Sequence, residues 1–129
     1  MDWMLKELAA GVPYVRHVVV LSSDGLCIGQ ANTEPDTADA IAAACSGLQS
    51  LAKAIAQKFP HGNGSTHMVG IEVDGGYFSL MAAGPGAYLS VLADAEVDAG
   101  LLGDRMRTLV FRIGQHMTSP PRDDIGQAM

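Results

Sequence analysis

The sequence predicts an α/β (α+β) domain, a single five-stranded antiparallel sheet flanked by helices in the order α-β-β-α-β-β-β-α. Three observations predict it. Two long segments, one from Pro35 to about Phe59 and one from about Val97 to Met117, repeat apolar residues at steps of three and four, the spacing of one helix face. Runs rich in β-branched residues lie around them. The links Ser23-Asp24-Gly25, Asp74-Gly75-Gly76 and Gly84-Pro85-Gly86 are so short that the strands they join must be antiparallel neighbours.

The elements follow in order. Asp2 to Ala10 reads as a short helix, with Asp2 as its N-cap and Leu5 and Leu8 facing inward. Gly11-Val12-Pro13 ends it. Val15 to Leu21 reads as a strand buried on both faces. Gly25 supplies the positive φ of a turn, and Leu26 to Ala31 returns as the second strand of a hairpin. Pro35 suits the first turn of the long helix, where its missing N–H has no partner to lose. Thr33 or Asp36 is the candidate cap, and Pro60-His61-Gly62-Asn63-Gly64 is the stop. Thr66 to Asp74, Tyr77 to Ala83 and Ala87 to Ala93 are three further strands. The last helix turns Leu102, Met106, Leu109, Ile113 and Met117 inward. One domain over residues 1–118 accounts for all of this, and residues 119–129, with Pro120-Pro121, read as a disordered tail.

The long middle helix has two faces. Ile41, Cys45, Leu48, Ala52, Ile55 and Phe59 form a stripe predicted to lie on the sheet. About half a turn away, Ala43, Gly47, Ser50 and Ala54 recur at the same spacing, and all are small. Gly47 costs about 1 kcal/mol in a helix interior relative to Ala, so it calls for a packing reason. Either a second copy of the helix or another helix of the same chain would supply one. The strand Thr66 to Asp74 falls at a sheet edge, with His67, Val69, Ile71 and Val73 on one face and Met68, Gly70 and Glu72 on the other. An apolar edge invites pairing with another copy, unless a loop or the tail shields it.

Composition limits the function. The 129 residues are 48% hydrophobic and only 17% charged, apolar for so small a domain, which favours an oligomer or an obligate complex. The net charge of −6 and the absence of any Lys/Arg run argue against nucleic acid and anionic membranes. Met1 to Glu7 lacks the pattern of a signal peptide, and no apolar run approaches the roughly 20 residues of a membrane span, so a cytoplasmic protein is expected, reaching a membrane only through a partner. Cys27 and Cys45 read as buried thiols.

No catalytic, cofactor or metal constellation stands out. There is no GxxxxGK[ST] phosphate loop, no GxGxxG between a strand and a helix, and no GxSxG elbow. His17, His61, His67 and His116 are scattered. Asp94, Glu96 and Asp98 are better read as helix capping than as a cation site. Arg105, Arg107 and Arg112 could serve a partner in trans, although solvated surface is the simpler role.

Several short stretches combine into a recognisable pattern. They are Val12-Pro13 with Arg16-His17, Ser22-x-Asp24-Gly25-Leu26, Ala42-x-x-x-Ser46-Gly47-Leu48-x-Ser50-Leu51-Ala52 and Asp98-x-Gly100-Leu101. In their order and spacing, over about residues 2 to 118, the chain resembles the roadblock/dynein light chain family, and within it the roadblock-domain proteins of actinobacterial conservons. Those gene clusters also encode a Ras-like small GTPase. The resemblance implies a non-enzymatic regulatory adaptor that dimerises through the long helix and the adjacent edge strand, with Ala43, Gly47, Ser50, Ala54, His67, Val69 and Ile71 at the interface. It further implies a Ras-like GTPase as partner, whose hydrolysis some bacterial members stimulate without an arginine finger, and a sensor-kinase-like membrane protein beside it. Gln49 stands where many relatives carry an apolar residue. Two other classes fit the layout. A small-molecule sensor of PAS or GAF type would need a cavity lined by residues such as Met81, Tyr88 and Met106. A purely structural dimerisation module would need none.

Overall fold

The computed structural model describes residues 1–118, so the expected tail over 119–129 lies outside the described residues. Eight elements follow in the predicted order: α1 (Asp2–Gly11), β1 (Val15–Ser22), β2 (Cys27–Ala31), α2 (Pro35–Ala56), β3 (Met68–Val73), β4 (Gly76–Ala82), β5 (Ala87–Asp94) and α3 (Ala99–Thr118). The strands form one antiparallel sheet in the order β2-β1-β5-β4-β3.

The two-residue period of a strand divides the core into two layers. Val18, Val20, Met81, Leu89 and Val91 face α1 and α3, where they meet Leu5, Leu8, Leu102, Met106 and Ile113. Val19, Leu21 and Leu80 face the other way and meet Ala38, Ala42 and Cys45 of α2. Covered on both sides, β1 buries Val18 through Leu21 without a break, as its β-branched run predicts.

Several local expectations gave way to longer-range bonds. Asp2 lies in the first turn of α1 rather than at its N-cap, which is Met1. Its carboxylate instead accepts the backbone N–H of Gln30 at 3.3 Å, fastening α1 to the outer edge of β2. Neither Thr33 nor Asp36 caps α2. The N-cap is Glu34, and the buried Thr33 hydroxyl donates to the Ala31 carbonyl at 2.8 Å. Pro35 does open the helix, but the helix ends at Ala56 rather than near Phe59. In α3, Leu102, Met106, Leu109 and Ile113 are buried as predicted, whereas Met117 is 39% exposed because it lies past the core.

Candidate partner interface

The small residues Ala38, Ala42 and Cys45 let α2 lie close on β1 and the strands beside it. The contact is fastened at two points. The Ser46 hydroxyl donates to the Ser23 carbonyl in the β1–β2 turn at 2.9 Å. The Tyr88 hydroxyl donates to Gln49 Oε1 at 3.0 Å, so the residue that departs from the family's apolar pattern has a definite partner. Gly25, at φ +88°, brings the turn so near α2 that an added Cβ would lie 3.3 Å from that of Ser46. Burial, which disfavours the thiolate, pushes the Cys45 thiol up from its usual pKa, and Cys27 moves the same way for the same leading reason, with Asp39 adding to it; both thiols are free.

Beyond Gln49 the support ends. The predicted sheet-facing stripe holds for Cys45, with Ile41 and Leu48 packed against it, and fails for Ile55 and Phe59, which are 63% and 64% exposed. The helix outruns the strands under it, and Leu51, 66% exposed, continues the same apolar shoulder. Between this shoulder, the loop after α2 and the start of β3 runs a groove of about 640 Å³. Its walls are mostly apolar and include Leu51, Ile55, Phe59, Met68 and Val69.

Ala43, Gly47, Ser50 and Ala54 all lie on the exposed side of α2. Ala43 is approached by Gly25 of the same chain, but no described atom lies within 4 Å of a Cβ built on Gly47. Packing under another described helix therefore does not explain that glycine. His67 is exposed at the rim of the groove, and Val69 and Ile71 are half-buried beneath α2. β3 is an edge strand, as its position in the sequence predicts, and no described strand covers it. The sequence reading did not single out Leu51, and it assigned Ile55 and Phe59 to the sheet, from which they are exposed. The available signal was the width of the apolar surface on α2, which exceeds what one sheet contact needs.

Asp94, Asp98 and Arg112 have structural partners. Asp94 is paired with Arg16, and Asp98 accepts the N–H of Leu101 at 3.0 Å, which is helix capping. No group of three or more His, Cys, Asp or Glu among the described residues is placed to hold a metal ion. Arg112 bonds Glu7 at 3.1 Å and lies 5.0 Å over the Trp3 ring. Met81 and Met106 sit in the layer under α1 and α3, while Tyr88 faces α2, so the three do not line one sensor cavity. No helix among the described residues is long and apolar enough to cross a membrane.

Comparison with known proteins adds an independent line. The roadblock/LC7 domain family matches residues 1–93. A roadblock/LC7 domain from Streptomyces avermitilis is 36% identical, covers 92% of this chain and 98% of its own, and superposes with a TM-score of 0.87. A second structure of that description from the same organism is 37% identical over 86% of this chain and 95% of its own, with a TM-score of 0.70. MglB of Myxococcus xanthus shares the fold, with a TM-score of 0.77 over 92% of each chain at 16% identity. No curated protein matches. The chain belongs to the roadblock/LC7 domain family.

Proposed function

We propose that this chain is a non-enzymatic cytoplasmic adaptor that homodimerises through α2 and β3 and, as a dimer, binds a Ras-like small GTPase in a bacterial signalling complex. The observation that carries the reading is the coincidence of an exposed apolar shoulder on α2 with an edge strand beside it that no described strand pairs. An exposed apolar groove and a bare strand edge are both costly in water, and one symmetric contact covers both. The interface residues are Ala43, Gly47, Ser50, Ala54, His67, Val69 and Ile71, joined by Leu51, Ile55 and Phe59. The GTPase comes from the family resemblance, which also suggests a sensor-kinase-like membrane protein as the route to a membrane.

The test is capture of the Ras-like GTPase encoded nearest to this chain, loaded with GDP or with a GTP analogue. Binding that depends on the nucleotide supports the adaptor reading. A hydrolysis assay then separates a partner that only holds the GTPase from one that accelerates it. A stable dimer that captures the GTPase in neither state favours the structural dimerisation module.

A further inference from the structure

The arginines of α3 are a cationic feature that the proposed function leaves unused. The chain carries a net charge of −6, yet α3 holds three arginines and a single acidic residue, Asp104. Arg105, Thr108 and Arg112 recur at steps of three and four, so they share the flank of α3 that faces α1. Between the two helices runs a cleft of about 280 Å³, floored by Met4, Leu8 and Leu109. Arg105, Thr108 and Arg112 form one wall, and Glu7 stands on the other. The cleft lies on the opposite side of the sheet from α2, so an occupant here leaves the α2 face open.

The two arginines of the wall are held differently. Arg112 lies 5.0 Å over the Trp3 ring and gives one N–H to Glu7 at 3.1 Å. A guanidinium has five N–H donors, so that bond leaves Arg112 with capacity for a further acceptor. Arg105 is placed by shape. A Cβ on Gly11 would lie 2.8 Å from Arg105 Nη1, so the guanidinium rests against the last turn of α1, which has no basic residue of its own. The carbonyl end of a helix favours a cation there. Arg105 makes no hydrogen bond or ion pair with any described residue, so its charge is fixed in position and unmatched among them. Trp3, beside Arg112, and Phe111, on the outer side of α3, are both more than half exposed. Tryptophan and arginine are the residues that most often carry binding energy at protein interfaces.

We propose that the cleft between α1 and α3 docks an acidic helical segment of a second partner protein, with one carboxylate on Arg105, another on Arg112 and an apolar residue against Trp3. The two arginines are seven residues apart, about 10 Å along α3, so carboxylates two turns apart on a helix lying in the cleft reach both. The planar fork of a guanidinium matches a carboxylate in a two-bond geometry. An anionic bilayer fits less well, because the arginines line a cleft rather than cover a face and the chain as a whole is acidic. Neither the dimer nor the GTPase is needed for this docking.

Trp3 is the single tryptophan of the chain, so its emission reports on this cleft. The probe is a synthetic helical peptide with Glu residues two turns apart, Leu between them and no tryptophan. It is titrated into the full chain beside versions carrying Gln or Lys in place of Glu. The expected result is a saturable change in Trp3 emission with the Glu peptide alone, and an affinity about tenfold to a hundredfold lower in Arg105→Gln. Arg105→Glu should pass the preference to the Lys peptide, which a variant that had merely unfolded would not do. No saturable change with the Glu peptide, equal binding of the Gln peptide, or an unchanged affinity in Arg105→Gln overturns the proposal. Vesicles of phosphatidylserine and phosphatidylcholine are a fourth probe, and binding to them in place of the peptide gives the face to a membrane and overturns it as well. Sedimentation of Arg105→Gln should match that of the unsubstituted chain; a changed oligomeric state would place Arg105 in a contact between copies instead.

Discussion

Ile55→Ala separates the work α2 does inside the chain from the work proposed for it between chains. Ile55 is 63% exposed in the single chain. Burying a whole side chain of this kind is worth about 1.5–3 kcal/mol, so covering the exposed share contributes about 1–2 kcal/mol per copy. A two-fold interface uses the residue twice, which gives about 2–4 kcal/mol per dimer. At about 1.4 kcal/mol per tenfold, dimerisation weakens by roughly one and a half to three decades in Kd. The lower part of that range is expected, because Ala keeps a methyl group. The folded single chain changes by less than about 0.5 kcal/mol, as for other exposed sites, and Ala is the better helix former. The assay is sedimentation velocity across a dilution series, with urea unfolding at the concentration where the chain is monomeric. An unchanged Kd refutes the interface. A large loss of stability in the monomer refutes the claim that Ile55 is free in the single chain.

Gly47→Leu should act in opposite directions on two readouts: the dimer is lost because a bulky side chain separates the helices, while the monomer holds or gains up to about 1 kcal/mol in thermal unfolding because nothing near Gly47 is displaced. Asp98→Ala removes the bond to Leu101 and should cost about 1 kcal/mol of unfolding free energy, with calcium or magnesium leaving the melting temperature of the unsubstituted chain unchanged; a cation-dependent shift in that chain would restore the cation-site reading. The thiols of Cys27 and Cys45 have pKa values raised by burial, so the native chain holds their protons more tightly than the unfolded chain. Their contribution to stability is fully present below the unfolded thiol pKa of about 8.5 and is lost as pH rises above it, so urea midpoints should fall on the alkaline side and change less in a Cys45→Ala chain. Leu89→Ala, at a fully buried position of β5, should cost about 2–5 kcal/mol without a selective effect on GTPase capture by the protein that remains folded.

The element order was legible because the signals are local and periodic. The β-branched run of β1, the turn glycines and the stripe on α3 each state their structure within a few residues. The edge position of β3 was also legible, since it follows a long loop and precedes tight hairpins. What failed depended on distant partners. Asp2 and Thr33 look like helix caps to a local rule, yet one bonds Gln30 and the other Ala31. Periodicity places Ile55 and Phe59 on the same stripe as Cys45, and it cannot report that α2 ends at Ala56 or that it outruns the strands beneath it. The small-residue face was readable, but the neighbouring shoulder of Leu51 and Ile55 was hidden because its two residues had to be assigned to some face before the sheet's width was known. The Tyr88–Gln49 bond joins residues far apart in sequence, and no pattern announces it.

The most direct test of the central claim is a calorimetric titration of this protein with the Ras-like small GTPase proposed as its partner, run in parallel with GDP and with a GTP analogue bound, for the unsubstituted chain and for Gly47→Leu. Saturable binding is expected, differing between the nucleotide states and weakening when the dimer is broken. Binding by neither nucleotide form, with the unsubstituted chain shown to be dimeric in the same buffer, would contradict it.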